Sequence, residues 1–187
     1  MIAAVVLAAG GSTRLGEPKQ LILVGGDALL ARAVRIAREA GCSPVVVVLG
    51  AEYMRVMVEC DLGDAILVIN DKWMEGMATS IRLGVQTLGI VAKDAEGVVL
   101  MTCDQPAVTV EHLQLLMRRQ EVKASRYAGR NGVPAYFPKK YFGELISLIG
   151  DAGARVLLAE ARFEDLAHGE LDVDTVDDIA RARQLFD

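Results

Sequence analysis

The feature that most constrains the fold is a regular alternation of short apolar runs with longer amphipathic segments. Near-continuous apolar runs, rich in valine and isoleucine, are typical of strands buried on both faces of a parallel sheet. Such runs occupy Ile2–Leu7, Val45–Leu49, Ala65–Ile69 and Gly97–Thr102. Helical spacing of apolar residues follows at Ala28–Ala40, Glu52–Cys60, Ala78–Leu88 and Val110–Glu121. This order predicts an α/β fold, a three-layer doubly wound domain around a mostly parallel sheet.

The C-terminal part of the chain is less regular. A strand or hairpin with a glycine-rich turn, a helix, a short strand and a closing helix are predicted, in that order, at Ser125–Phe137, Asp151–Ala161, Glu170–Val173 and Thr175–Leu185. Thr109 and Thr175 are the expected N-caps of the helices that follow them. With 187 residues and no linker or repeat, the chain is expected to form one domain, 1–187.

Composition limits the classes of partner. The net charge is −5, which argues against a nucleic-acid binder that relies on a general basic field. The apolar opening Met1–Ala9 is too short to span a bilayer and lacks the layout of a signal peptide. Three cysteines in no zinc-binding pattern predict buried thiols in a reducing compartment, at Cys42, Cys60 and Cys103. We therefore expect a cytoplasmic protein without nucleic-acid or membrane partners.

A glycine-rich segment follows the first predicted strand directly, and it carries the main candidate for chemistry. Glycines let a backbone approach a ligand closely, while hydroxyls and cations in the same loop meet phosphates. Gly11 and Gly16 have the spacing of a P-loop, but Glu17 stands where a P-loop requires lysine. The alternative is an ordinary strand-to-helix turn with surface charges. The predicted nucleotide-binding residues in this segment are Leu7, Ala8, Ala9, Gly10, Gly11, Ser12, Thr13, Arg14 and Lys19.

This segment, continued through Pro18-Lys19-Gln20-Leu21, resembles the signature loop of the MobA-like nucleotidyltransferases, and most of all their molybdenum cofactor cytidylyltransferase (MocA-like) branch. The resemblance implies a Rossmann-like fold of the nucleotide-diphospho-sugar transferase type. It also implies that the loop wraps a triphosphate, with Arg14 and Lys19 as catalytic cations that neutralise it.

Carboxylates are predicted to complete the site. Asp104 lies in Met101–Pro106, just past a predicted strand, and this segment resembles the family's Asp-Gln-Pro motif, whose aspartate holds Mg²⁺. The resemblance makes Asp104 catalytic, nucleotide-binding and a metal ligand. Asp172 and Asp174 project from one face if they lie in a strand, and the segment resembles the family's Asp-Ile-Asp-Thr ending. We expect Asp174 as the second metal ligand, with Asp172 behind it; the alternative is that one of them caps the last helix.

Two further stretches resemble substrate-lining segments of the family. The first contains Asn70, Gly76 and Met77 as expected substrate-binding residues and Ser80 as a nucleotide-binding residue, although Ser80 equally suits a capped helix start. The second is Gly129–Phe137, from which Gly132 and Pro134 are expected to bind substrate. Many cytidylyltransferases of this group have histidine before that proline, where this chain has Val133, so the acceptor stays open.

The sequence predicts no serine–histidine or cysteine–histidine arrangement that would supply a general base. A terminal phosphate monoester, whose second pKa is about 6, is already ionised at neutral pH and needs none. The family's acceptor, the molybdopterin form of the molybdenum cofactor, fits this requirement. The string Leu7-Ala8-Ala9-Gly10 resembles that of the cytidylyl branch, so we expect CTP as donor. The family resemblance also implies Mg²⁺ as cofactor and pyrophosphate as leaving group. A xanthine dehydrogenase-family enzyme or its chaperone is the expected recipient of the product.

Two alternatives remain open on the sequence. A sugar-phosphate or methylerythritol cytidylyltransferase also uses a phosphate acceptor, and a guanylyltransferase differs mainly in its nucleotide. A non-catalytic binding module that keeps the fold is the other alternative, although it predicts loss of the charged residues that this chain retains.

Overall fold

The structure is a computed structural model, in which residues 1–151 and 153–186 are described. Its strands are Ile2–Ala8 (β1), Leu23–Val24 (β2), Asp27–Ala28 (β3), Val45–Leu49 (β4), Ile66–Ile69 (β5), Gly97–Thr102 (β6), Lys123–Tyr127 (β7), Arg130–Pro138 (β8) and Arg162–Asp165 (β9). Its α-helices are Leu29–Glu39 (α1), Tyr53–Glu59 (α2), Met77–Val91 (α3), Val110–Met117 (α4), Phe142–Ile146 (α5), Arg155–Leu158 (α6) and Val176–Phe186 (α7).

Seven strands form the main sheet in the order β5-β4-β1-β6-β8-β7-β9. The first four of these run parallel to one another, as do β7 and β9, whereas β8 is antiparallel to both of its neighbours. The β-branched runs in the centre of the sheet are fully buried because helices cover both of its faces. The predicted mostly parallel sheet is confirmed.

Side chains of the central strands alternate between two hydrophobic layers. Ala4 and Val6 of β1 pack on one face with α1 and α4, while Val5 and Leu7 pack on the other with α3 and α5. Helix α3 lies very close to the sheet, since a methyl group added at Gly84 would stand 2.5 Å from Val5 Cγ1. The three-layer architecture predicted from the sequence is therefore present.

A smaller cluster ties the C-terminal segment to the beginning of the chain. Val24 and Leu29 pack there with Val173 and with Ile179 and Ala182 of α7. Backbone contact adds to this, because Val173 N donates to Asp104 O at 2.9 Å. The chain between β9 and α7 is thereby held across the carboxyl ends of the central strands.

Two elements differ from the sequence prediction. The segment Glu170–Val173 is not a strand: a turn ends at Glu170, and the chain then crosses the sheet edge instead of running beside a strand. The strand that closes this side is β9, whose residues Arg-Phe-Glu-Asp have little apolar pattern. The helix predicted over Asp151–Ala161 shortens to α6, because Gly150 and Gly153 adopt positive φ of 70° and 57°. Ala152 of that prediction lies outside the described residues.

Other local predictions are confirmed. Strands β7 and β8 form the predicted hairpin, with a two-residue turn at Ala128 and Gly129, both at positive φ. The Thr109 side chain accepts from His112 N and caps α4. Thr175 Oγ1 accepts from Asp178 N at 3.3 Å, while Asp178 Oδ2 accepts from Thr175 N at 2.8 Å, which is a reciprocal cap of α7. No helix in the described part of the chain combines the length and apolarity that a membrane crossing requires.

Candidate active site at the carboxyl edge of the sheet

The strand register brings two chemically rich loops together. Leu7 of β1 lies opposite Thr102 of β6, so the loop after β1 and the segment containing Asp104 leave the sheet side by side. Ligands of open α/β sheets gather at this edge, outside the carboxyl ends of parallel strands. The glycine-rich loop and Asp104 therefore face the same region, as the sequence predicted.

Two cations and two carboxylates meet there, and we call them the cation–carboxylate cluster: Arg14, Lys19, Asp104 and Asp174. Lys19 Nζ donates to Asp104 Oδ2 at 2.5 Å and to Asp174 Oδ1 at 2.8 Å. Arg14 Nη2 donates to the other oxygen of Asp174 at 2.7 Å. The chain thus joins its first loop, the end of β6 and the segment before α7 through direct ion pairs.

Burial and charge together set the protonation of this cluster. Burial alone lowers the pKa of Lys19, but the charge and hydrogen bond of Asp104 raise it well above the ordinary value. Burial raises the pKa of Asp174, but the hydrogen bonds from Lys19 and Arg14 outweigh this and lower it below its usual range. Asp172 faces the same cleft; burial and the charges of Asp104 and Asp174 raise its pKa to about 7. Lys19 and Asp174 are therefore ionised at neutral pH, whereas the carboxyl of Asp172 is close to half protonated there.

The loop that carries Lys19 is held by hydrogen bonds at both ends. Lys19 N donates to Ser12 Oγ at 3.0 Å. The buried Gln20 amide donates to Ala8 O at 2.7 Å and, more weakly, to Gly10 O at 3.3 Å. In the sequence Gln20 stands out only as part of the loop motif; the signal for its role is a polar residue that leads directly into an apolar stretch. These hydrogen bonds fix the loop backbone on the side that faces the protein, while the opposite side is exposed.

The predicted nucleotide-binding residues of the loop divide into two groups. Leu7, Ala8 and Ala9 are buried and set where the loop begins. The next residues reach the surface, with Gly10, Thr13 and Arg14 exposed. Gly11 lies against the indole of Trp73, since a methyl group there would stand 3.0 Å from the ring. Backbone and hydroxyl groups are thus available to a ligand along the predicted segment.

A cleft of about 500 Å³ opens beside the cation–carboxylate cluster. Lys19, Asp104, Asp172 and Asp174 line this cleft. Its lining also includes two residues that the sequence predicted to bind substrate, Met77 and Gly132. Further lining residues had no predicted role, and they include Gln105, Tyr127, Val133, Asp151, Arg155 and Val156.

The predicted loop residues from Leu7 to Arg14 lie outside the lining of this cleft, and so do four predicted residues from other segments. Asn70 Nδ2 donates to Ser80 Oγ at 2.9 Å, and both side chains are buried, so they join the end of β5 to the start of α3. Gly76 adopts a φ of 112°, and a methyl group there would stand 2.7 Å from Gly150 O. Pro134 offers its carbonyl to Ser125 Oγ at 2.6 Å. These contacts support the walls of the site, and direct binding by these four residues stays a prediction.

One histidine–serine contact is present that the sequence did not indicate. His112 Nε2 lies 2.7 Å from Ser125 Oγ, which in turn donates to Pro134 O. Ser125 is fully buried and His112 nearly so, and neither lines the cleft. The pair therefore supports the segment Gly132–Pro134 from behind, and it is not placed to attack a substrate.

A second support runs from the Asp104 segment to the same wall. Gln105 Nε2 donates to Tyr127 OH at 3.3 Å and to Gly169 O at 3.1 Å. Tyr127 OH donates onward to Val133 O at 3.1 Å. Sequence reasoning missed Tyr127, because its partners are distant in the chain and no local pattern marks it.

The donor set suits a hard divalent cation. Asp104 Oδ1 is buried and has no hydrogen-bond partner among the described residues. In residues 1–151 and 153–186 no group of three or more histidine, cysteine or acidic side chains is arranged to hold a metal ion alone. Magnesium commonly uses one or two carboxylates, and substrate phosphates and water complete its shell. Asp104 and Asp174 fit that pattern.

Comparisons with known proteins match most of the chain. The family model described as MobA-like NTP transferase domain matches residues 4–167. Nicotine blue oxidoreductase of Paenarthrobacter nicotinovorans is 31% identical over 96% of this chain and 95% of that protein. Purine catabolism protein PucB of Bacillus subtilis is 28% identical, again over 96% of this chain and 95% of that protein.

Solved structures extend the likeness to the fold. Rv0371c from Mycobacterium tuberculosis superposes with a TM-score of 0.84 at 34% identity, covering 98% of this chain and 97% of that chain. A structure of Rv0371c in complex with manganese gives a TM-score of 0.78 at 32% identity and covers 98% of each chain.

Proposed function

The chain belongs to the MobA-like NTP transferase family, and from that premise we propose that it transfers CMP from CTP to the terminal phosphate of molybdenum-molybdopterin. Nucleotidyl transfer is the class of reaction; the nucleotide and the acceptor are the proposal. The observation that carries it is Lys19, which stands at the end of the glycine-rich loop in direct contact with Asp104 and Asp174. Cations, carboxylates and a glycine-rich backbone cradle are the parts that phosphoryl chemistry requires.

The triphosphate would lie along the exposed side of the loop from Gly10 to Arg14. Arg14 and Lys19 would neutralise its charge, and hydroxyls of Ser12 and Thr13 would add donors. Ala9 supports the choice of CTP, because its methyl would narrow the space near the base where glycine would leave it open; Ala9 is buried and lies close to Gly50. A narrower space favours a pyrimidine over a purine.

Asp104 and Asp174 would hold Mg²⁺ at the same point. Once bound, Mg²⁺ would supply positive charge that neutralises the phosphates of the nucleotide. The manganese complex of Rv0371c supports a divalent cation in a protein that is 32% identical to this chain. The unpartnered oxygen of Asp104 supports the same assignment within this chain.

The chemistry needs no general base from the protein. An oxygen of the ionised acceptor phosphate attacks the α-phosphorus of CTP, and the bond between the α-phosphorus and its bridging oxygen to the β-phosphorus breaks. Pyrophosphate leaves with that electron pair, and the positive charges of Lys19 and Arg14 would stabilise its negative charge. Neither His112 nor His168 lines the cleft, in keeping with an acceptor that arrives already deprotonated.

The relatives suggest where the product goes. PucB is named for purine catabolism, and this supports a xanthine dehydrogenase-family enzyme or its chaperone as the recipient. Apolar residues of the cleft wall, including Met77, Val133 and Val156, suit the ring system of a pterin better than a sugar.

Pyrophosphate release tests the proposal. Purified protein with Mg²⁺ is incubated with CTP, GTP or ATP, with and without molybdenum cofactor, beside a sugar phosphate and methylerythritol phosphate as rival acceptors. We expect release only with CTP and molybdenum cofactor together. Release with GTP, or with another phosphate acceptor, assigns the rival transferase, and nucleotide binding without release under any combination assigns a binding module.

Oxidoreduction is a second candidate, favoured by the name of the Paenarthrobacter relative. The direct assay follows the absorbance of nicotine blue with NADH in the absence of nucleoside triphosphate. A change that depends on the protein, in a preparation that releases no pyrophosphate, would favour this candidate over transfer.

A further inference from the structure

The cations of the cation–carboxylate cluster are already occupied in the structure. Lys19 Nζ contacts one oxygen of Asp104 and one of Asp174, and Arg14 contacts the second oxygen of Asp174. The chain's own side chains therefore engage three of the four carboxylate oxygens. The fourth, Asp104 Oδ1, is buried without a partner among the described residues.

Burial makes the Lys19 contacts the stronger part of this arrangement. The side chains of Lys19 and Asp104 are 15% and 14% exposed, whereas that of Arg14 is 67% exposed. Water and salt screen an exposed ion pair strongly and a buried one weakly. Lys19 is thus the principal counter-charge of the two carboxylates, and Arg14 is the secondary one.

The backbone around Lys19 is fixed, so only its side chain is free to change partners. Lys19 N is hydrogen-bonded to Ser12 Oγ. The next residue, Gln20, is buried and bonded to the carbonyls of Ala8 and Gly10. An ammonium on a four-carbon stem can turn from the carboxylates toward the loop without any movement of the chain.

We propose that Lys19 is an internal counter-ion that keeps Asp104 and Asp174 closed to a divalent cation until polyphosphate draws the ammonium away. This inference rests on the proposed function, which puts the triphosphate and the metal at this cluster. An ammonium and a divalent cation compete for the same carboxylate oxygens, while carboxylates and polyphosphate compete for the same ammonium. Each ligand removes the competitor of the other, so metal and nucleotide bind with positive and reciprocal coupling.

The consequence is a site that admits its metal together with the nucleotide. Without ligands, Lys19 and Arg14 balance the carboxylates, and a free divalent cation must displace a buried ion pair. With polyphosphate bound, both cations are turned to it and the carboxylate oxygens are released. The cluster thereby couples occupancy of the metal position to the presence of the donor substrate.

Titration of the full chain with Mn²⁺, in the absence of any nucleotide, tests this inference. Electron paramagnetic resonance of free Mn²⁺ gives the dissociation constant for wild type, Lys19→Met, Arg14→Met and the control Lys93→Met, which removes one exposed lysine charge far from the site. Removing the Lys19 charge is expected to tighten Mn²⁺ binding about tenfold or more. Arg14→Met should tighten it by about two- to threefold because its charge is better screened, and Lys93→Met should match wild type.

Unchanged or weaker Mn²⁺ binding by folded Lys19→Met would overturn the inference, as would an equal gain in the Lys93→Met control. Circular dichroism establishes that the variant is folded. If it is not, Arg14→Met decides, because its exposed side chain can be removed without unfolding, and an unchanged affinity there overturns the inference too.

A second titration measures the coupling itself, with a CTP analogue whose α,β-bridging oxygen is replaced by methylene. A protein-free titration first measures how much Mn²⁺ the analogue itself binds. After that correction, the analogue should still increase the Mn²⁺ affinity of wild type, and this increase should disappear in Lys19→Met. Absence of the gain in wild type overturns the coupling. The first titration contains no nucleotide or acceptor, so a failed pyrophosphate assay beside a tighter Lys19→Met overturns the proposed function and leaves the counter-ion role in place.

Discussion

Lys19 illustrates how a single residue depends on contacts that its neighbours make. Its ammonium reaches Asp104 and Asp174 because Ser12 and Gln20 fix the backbone on either side of it. The participants in these ion pairs were predicted, but for other roles: cations in a glycine-rich loop indicated a polyphosphate site, and the family resemblance supplied the carboxylates as metal ligands. That the cations pair with those carboxylates could not be predicted, because no sequence spacing encodes a contact across 85 residues.

Replacing Lys19 or Asp104 tests their proposed roles in turnover. Lys19→Ala removes the most buried cation of the site, and Asp104→Asn removes a carboxylate charge at nearly constant shape. Each is expected to lower the rate of pyrophosphate release by about 100-fold or more, since electrostatic groups of this kind contribute at that scale. Lys93→Ala is the matched control and should keep the wild-type rate. A wild-type rate in either site variant would contradict the assignment.

His112 should make the stability of the fold depend on pH. Burial lowers the pKa of His112 below its usual 6.5, with Lys123 lowering it further and Glu164 opposing. Below pH 6.5 the unfolded chain therefore takes up a proton that the folded chain does not, and stability falls as the pH falls. The slope reaches at most about 1.4 kcal/mol per pH unit and ends at the folded pKa.

Urea unfolding of wild type and His112→Gln between pH 5 and 7.5 measures this contribution. The glutamine keeps a donor for Ser125 but has no proton to gain, so the difference in unfolding free energy between the two proteins should shrink as the pH falls below 6.5. A difference that is constant over this range would show that the pKa of His112 is the same in the folded and unfolded chains, which contradicts the effect of burial.

Among the elements, the central strands were the most predictable and the C-terminal ones the least. Strands β4 and β6 begin and end at the predicted residues, because a strand buried on both faces must be apolar throughout. Strand β9 has only one apolar residue, Phe163, which stacks with Arg126 instead of entering the core. The composition of such an edge strand gives no local signal, because β9 is stabilised as a strand by its pairing with β7.

Helix α4 offers a test of capping at the level of an element. Thr109 accepts from His112 N at the helix start, and its replacement by alanine is expected to cost about 1 kcal/mol of unfolding free energy. The same change at Thr87, inside α3, removes a bond to the carbonyl of Leu83 that does not cap the helix, and it should be neutral or slightly stabilising. Equal losses from the two variants, measured by urea unfolding, would refute the capping role.

At the scale of the whole molecule, the site is an assembly of three distant segments. The loop after β1, the end of β6 and the stretch before α7 meet only when the sheet is formed and the C-terminal chain crosses its edge. Sequence reasoning identified each segment and placed the first two at one sheet edge by the rule for parallel strands. It predicted the third in a strand, which was wrong, although Asp172 and Asp174 do line the cleft.

Ligands that join these segments should stabilise the whole fold. CTP with Mg²⁺ at about 100 times the dissociation constant is expected to raise the unfolding free energy by about 2.7 kcal/mol. Thermal unfolding followed by circular dichroism would show this as a higher Tm than with either ligand alone. Asp174→Asn should largely lose the gain. An equal gain in that variant would mean that the third segment takes no part in binding.

The path of the segment after β9 also has a consequence for the time at which the protein acquires activity during synthesis. The main sheet can pair once β9 has left the ribosome, but Asp174 and the residues that pack beneath it come later in the chain. A nascent polypeptide can therefore complete its main sheet while Asp174, which pairs with Lys19 and Arg14 beside the cleft, is still missing. Catalytic activity would therefore appear last, when the segment that contains Asp174 packs across the edge of a sheet that has already formed.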